Sequence, residues 1–98
     1  MTMTIDGIKH RIAPVLRRHG VKRAVLFGSW ARGNATGRSD VDLMVDSGLQ
    51  GLAFVGLMGE LREALDGRDV DVLDVSHIER DSRVDAEIRG TGILIYEA

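Results

Sequence analysis

Apolar residues follow two rhythms along this chain. Ile5, Ile8, Ile12, Val15 and Leu16, joined by His19, recur every three or four positions, which places them on one face of a helix. Thr4 is positioned to cap its start and Gly20 to end it. Pro14 falls inside the stretch without the N–H that a helix needs there, so the pattern predicts a kink or a loosened first half. Residues 21–27, VKRAVLF, form a short β-branched run between Gly20 and Gly28, the mark of a buried strand.

The second rhythm has period two. In residues 40–46, DVDLMVD, Val41, Leu43 and Val45 fall on one face of a strand and Asp40, Asp42, Met44 and Asp46 on the other. Helical spacing returns over residues 52–67, with Phe54, Leu57, Met58, Leu61 and Leu65 in one stripe and Gly67 as the stop. Gly56 and Gly59 weaken that helix but would let a neighbour approach closely. Residues 51–59, GLAFVGLMG, are more apolar than one buried stripe requires, and we assign the excess to the core rather than to a docking face.

Residues 69–75, DVDVLDV, read as a third strand. SHIE at 76–79 has the form of a capping box, so a fourth helix is expected from there to Gly90 on the thin stripe of Val84 and Ile88. GILIYEA closes the chain as a fourth strand, SWARG after Gly28 is a short helical segment, and GNATGRS at 33–39 is a loop. Helix and strand thus alternate four times, which predicts an α+β fold in two layers, one small sheet backed by helices.

With 98 residues, the chain is expected to form a single domain over 1–98. It contains no cysteine, which excludes disulfides and thiolate chemistry, points to a reducing compartment, and leaves oxygen or imidazole for any metal. No apolar run is long enough to span a bilayer, so the expected location is cytoplasmic, with no membrane partner. The net charge of −2, from 15 acidic and 13 basic residues, offers no basic stripe for strong nucleic-acid binding.

The candidate chemistry is acidic. Asp40 and Asp42 stand at i and i+2, roughly 6 to 7 Å apart along a strand, where two carboxylates repel unless a cation lies between them. Hard oxygen ligands in small number suit Mg²⁺ or Mn²⁺, whose shells are completed by water and substrate phosphates. Gly28 and Ser29, at the end of the first strand, can offer backbone donors to a phosphate because glycine has no side chain to block the approach. In-line displacement at phosphorus with two metals needs a third carboxylate. Asp71 is the first choice, Asp69 the second, and Asp74 the last, because it lies on the opposite strand face from Asp71. Arg32 is placed either to reach a phosphate or to pair with a nearby carboxylate. Arg38 in the loop is the weaker phosphate candidate. Trp30 packs on its neighbours or stacks on a base, and His10, His19 and His77 share no ligand spacing and read as structural.

Gly28-Ser29, ten residues, then Asp40-Val41-Asp42, within GSWARG and SDVDL, resembles the minimal nucleotidyltransferases of the DNA-polymerase-β-like superfamily over nearly the whole chain. That resemblance implies a nucleotidyltransferase fold with a small mixed sheet. It implies Mg²⁺ on Asp40 and Asp42, Asp71 as the third carboxylate, and Gly28 and Ser29 on the triphosphate. The reaction implied is transfer of AMP from ATP to an acceptor hydroxyl with release of pyrophosphate. Small stand-alone members resemble antitoxins that adenylylate a tyrosine of a cognate HEPN-type ribonuclease toxin. Two other functions remain open: an inactive module that neutralises the toxin by contact, and a small-molecule nucleotidyltransferase, which resembles enzymes that carry additional helical domains.

Overall fold

The computed structural model describes residues 3–98, and within them helix and strand alternate as the periodicities predict. The elements are α1 (Ile5–Arg18), β1 (Arg23–Phe27), α2 (Ser29–Arg32), β2 (Val41–Asp46), α3 (Leu52–Ala64), β3 (Val70–Asp74), a 3-10 turn (Val75–His77), α4 (Arg83–Thr91) and β4 (Ile93–Glu97). The Thr4 hydroxyl caps α1 by accepting the Gly7 N–H at 3.0 Å. This helix continues unbroken through Pro14. Pro14 and His10 are both exposed, so the carbonyl deprived of its donor lies on the water side, where hydration replaces the lost bond.

Four strands form one mixed sheet in the order β3-β2-β1-β4. β1 is antiparallel to β2 and β4, while β2 and β3 are parallel, a pairing that needs a crossover and receives it from α3. α1 and α3 lie on one face, where Ile8, Ile12, Leu57 and Leu61 bury Leu26 and Leu43 in a common core. Each large apolar side chain so enclosed contributes about 1.5–3 kcal/mol. His19 is structural, as expected: its Nε2 meets Glu60 Oε2 at 2.5 Å and, with Arg18, joins α1 to α3. Among the described residues no helix is long and apolar enough to cross a membrane.

Three local expectations need correction and one is qualified. Met44 lies on the face of Asp42 and Asp46, as alternation assigns it, but is 95% buried, because its register neighbours there are Val25 and Leu73. It interrupts the acidity of that face. Gly56 and Gly59 admit no packed helix; a Cβ at either would meet nothing within 4 Å. Leu52 and Val55 stand on the same outer side of α3, one turn apart, and are exposed rather than core. The fourth helix starts not at SHIE but at SRVD: Ser82 Oγ accepts the Asp85 N–H at 3.1 Å, and the Asp85 carboxylate accepts the Asp81 N–H at 2.9 Å. Both tetrapeptides fit the capping pattern, and the first is diverted by Asp74.

Asp74 is buried at the end of β3. Its carboxylate accepts the N–H and Oγ–H of Ser47 at 3.0 and 2.6 Å, and the N–H and Oγ–H of Ser76 at 3.0 and 2.6 Å. Burial opposes its charge, but the four hydrogen bonds prevail and hold its pKa down at about 2, from an ordinary 3.8. A depressed carboxylate stabilises the fold above its unfolded pKa and loses that contribution as pH falls through the folded one. Asp74→Asn is therefore expected to lose about 2 kcal/mol at pH 7. Urea unfolding as a function of pH checks this: the gap to the parent protein should narrow from about pH 4 downward and close near pH 2.

Candidate active site

Strand pairing decides which carboxylates meet. In the parallel β2–β3 ladder Asp42 stands opposite Asp71, and alternation directs both away from the face covered by α1 and α3. The antiparallel β1–β2 ladder sets Phe27 opposite Asp42, so the Gly28-Ser29 turn begins beside the same side chain. The approach is close. A Cβ added at Gly28 would lie 2.1 Å from Asp42 Oδ2, and Gly28 has φ of +75°, so both space and backbone geometry call for glycine.

Crowded negative charge marks the site. The Asp42 pKa is pushed up to about 6 by burial, then by the charges of Asp71, Asp40 and Glu87, and by a hydrogen bond between Asp42 and Asp71 in which the neutral Asp42 carboxyl donates. Asp40, exposed and just ahead of β2, is within electrostatic reach of Asp42 without joining that contact. Of the three carboxylates expected to converge, strand register sets Asp42 opposite Asp71, and the charge of Asp40 is felt at Asp42. Among the described residues no three acidic or imidazole side chains form a ready-made metal cage. The donors still fit a hard divalent cation. They are carboxylate oxygens under mutual repulsion that a cation relieves, and magnesium commonly takes only one or two protein carboxylates and fills its shell from phosphate and water.

The other acidic candidates are placed elsewhere. Asp74 is consumed by Ser47 and Ser76, and Asp69 precedes β3, its backbone carbonyl accepting the Val41 N–H at 3.0 Å. Arg32, at the end of α2, forms an ion pair with Glu87 of α4. The Arg38 backbone N–H is held by Thr36 Oγ1 at 3.3 Å. Trp30 is half-buried against the core. A cavity of about 690 Å³ lies beside the site, bordered by Arg38, Asp40, Arg68 and Asp69 but not by Asp42, Asp71 or Gly28.

Two residues at the site escaped the sequence reading. Arg68 donates to the carbonyls of Gly37 and Ser39 at 2.9 and 3.2 Å, and its guanidinium lies 5.9 Å from the Trp30 ring centroid, a cation–π distance. One side chain thereby joins the segments leading out of β1 and into β2. Glu87 was invisible because helical spacing reveals the apolar face of α4 but not which loop its polar face overlies.

Comparison with known proteins bears on the family and the fold. Residues 10–98 match the family described as polymerase beta, nucleotidyltransferase. A Methanocaldococcus jannaschii protein, provisionally named a protein adenylyltransferase, is 46% identical over 78 residues, which are 78% of this chain and 83% of that protein. Among solved structures, a toxin–antitoxin crystallised with AMP-PNP superposes with TM-score 0.77 at 26% identity, over 92% of this chain and 73% of that one. A tri-AMPylated HEPN toxin in complex with an MNT antitoxin, from Shewanella oneidensis, matches with TM-score 0.72 at 22% identity over 97% of this chain and 74% of that one, a likeness of fold.

The Gly28 contact generates a test. Gly28 and Gly33 have similar φ, +75° and +80°, but a Cβ at Gly33 meets nothing within 4 Å. Gly33→Ala should cost about 1 kcal/mol of backbone strain, whereas Gly28→Ala should cost about 2–4 kcal/mol. Chemical denaturation measures both. Adding Asp42→Ala to Gly28→Ala should recover only the part of the difference that Asp42 causes, since Gly28, with ψ of −153°, also occupies a glycine-only conformation that Gly33, with ψ of 13°, does not.

Proposed function

The chain belongs to the polymerase β nucleotidyltransferase family, and on that footing we propose that it is a magnesium-dependent protein adenylyltransferase serving as an antitoxin. Its acceptor in this reading is a tyrosine hydroxyl of a cognate HEPN-type ribonuclease toxin, and its nucleotide is ATP. The observation that carries the reading is the Asp42–Asp71 pair set against Gly28, a concentration of negative charge that costs stability and gains a purpose once a cation and a triphosphate enter. The adenylyltransferase relative and the AMP-PNP-bound toxin–antitoxin support the choice of reaction and partner.

In the proposed mechanism Gly28 and Ser29 hold the triphosphate through backbone N–H groups and the Ser29 hydroxyl, which the missing Cβ of Gly28 leaves approachable. Asp40 and Asp42, with Asp71, would hold the magnesium that lets the α-phosphate end of the nucleotide lie beside them, since carboxylates and phosphate repel without a cation. Asp71 receives the proton of the incoming tyrosine hydroxyl. The hydroxyl oxygen forms a bond to the α-phosphorus as the bond from that phosphorus to the α–β bridging oxygen breaks, and pyrophosphate leaves. Magnesium, when bound, supplies charge neutralisation for the transferring phosphoryl group and lowers the pKa of the attacking hydroxyl. With two carboxylates in contact and a third nearby, electrostatics and positioning provide the acceleration.

The expected outcome is transfer of label from α-³²P-ATP to the cognate toxin in the presence of Mg²⁺, followed on denaturing gels. Asp42→Asn and Asp40→Asn should each lower the rate by at least about 10²-fold. Phenylalanine at the acceptor tyrosine should abolish labelling. Undiminished transfer by the double Asp40→Asn, Asp42→Asn protein would remove the metal assignment. Toxin neutralisation without labelling would indicate an inactive binding module instead.

A further inference from the structure

Arg32 lies three residues beyond Ser29, about one helical turn from the turn that the proposed function gives to the phosphates. Its side chain is nonetheless directed to Glu87, half-way along α4. The pair is partly exposed, 44% at Arg32 and 28% at Glu87, so water competes for it and it is worth only a few-fold in equilibrium terms. The end of α2 is open: Gly33 closes it in a left-handed conformation, with nothing within 4 Å of where a Cβ would stand. A guanidinium uses the same planar fork for carboxylate and phosphate, and a triphosphate presents several charges where Glu87 presents one.

Resting on the nucleotidyl-transfer reading above, we propose that the Arg32–Glu87 ion pair is a latch on nucleotide binding. Glu87 holds the Arg32 guanidinium in reserve, and an incoming triphosphate takes that guanidinium from it. Glu87 is then a positioning residue that sets nucleotide affinity through Arg32 and touches no reacting atom. The latch keeps affinity lower than Gly28, Ser29 and Arg32 would otherwise give. It also couples α4, the helix leading into β4, to occupancy of the site.

Calorimetric titration with a non-hydrolysable ATP analogue and Mg²⁺ tests this without reference to turnover, and the protein's one tryptophan, Trp30, next to Ser29, offers a second optical reading. Glu87→Gln should lower Kd by about three- to tenfold and Arg32→Ala should raise it by about as much or more. In the Arg32→Ala protein, Glu87→Gln should change Kd less than about twofold, the signature of an effect carried through Arg32. Glu87→Ala should behave as Glu87→Gln does, with circular dichroism verifying that both remain folded. An unchanged or higher Kd for both Glu87 variants would overturn the latch, as would an equal gain with Arg32 absent, which would reduce Glu87 to plain charge repulsion. Failure of the parent protein to take up the analogue is a separate outcome that would overturn the catalytic reading and the latch with it.

Discussion

Parallel pairing of β2 with β3 sets Asp42 beside Asp71, and every other feature of the site is arranged around that repulsion. Like charges opposite one another on neighbouring strands destabilise a sheet. Here the core formed by α1 and α3 on the opposite face must offset the cost. Gly28 tightens the conflict by leaving space only for the Asp42 carboxylate, and burial with three acidic neighbours keeps that carboxyl protonated to about pH 6. A fold selected for stability alone would place a hydrophobic or oppositely charged residue at one of the two positions. Their coexistence reads as an electrostatic demand for a cation, which in the proposed function arrives with the nucleotide.

Two arginines manage the surroundings differently. Arg68 is fixed: it bonds to the carbonyls of Gly37 and Ser39 and lies over Trp30, so the approach to Asp40 and the exit from the Gly28-Ser29 turn are held by one guanidinium. Arg32 is partnered by a carboxylate from α4, an exchangeable contact on a four-residue helix. The first arrangement favours a constant frame and the second an adjustable one. Asp74, chemically similar to Asp71 and only three positions away, becomes a structural anchor because alternation turns it to the other face, where two serines supply four donors.

Much of this was legible in the residues themselves. The period-two run at 40–46 gave β2 to within one residue, and the three- and four-residue spacings gave α1 and the buried stripe of α3. The resemblance carried by Gly28-Ser29 and Asp40-Val41-Asp42 pointed to the family that residues 10–98 match. Strand alternation ranked Asp74 behind Asp71, and the burial of Asp74 together with the register of Asp71 opposite Asp42 agrees with it. What escaped depends on contacts distant in sequence. The burial of Met44, on the face it shares with Asp42, was not legible because alternation does not show that Val25 and Leu73 flank it. SHIE and SRVD were equivalent as capping patterns until Asp74 took Ser76. Glu87 and Arg68 acquired meaning only when α4 and the approach to β3 were folded over the loops that follow β1.

The central claim is that the Asp42–Asp71 pair is half of a cation site whose other half comes on the nucleotide. Electron paramagnetic resonance of Mn²⁺, titrated with and without a non-hydrolysable ATP analogue, measures this directly. The account predicts weak metal uptake by the protein alone, and uptake at least about tenfold tighter with the analogue present, lost when Asp42 is replaced by Asn. Metal binding that is equally tight without nucleotide, or that survives Asp42→Asn, would contradict it.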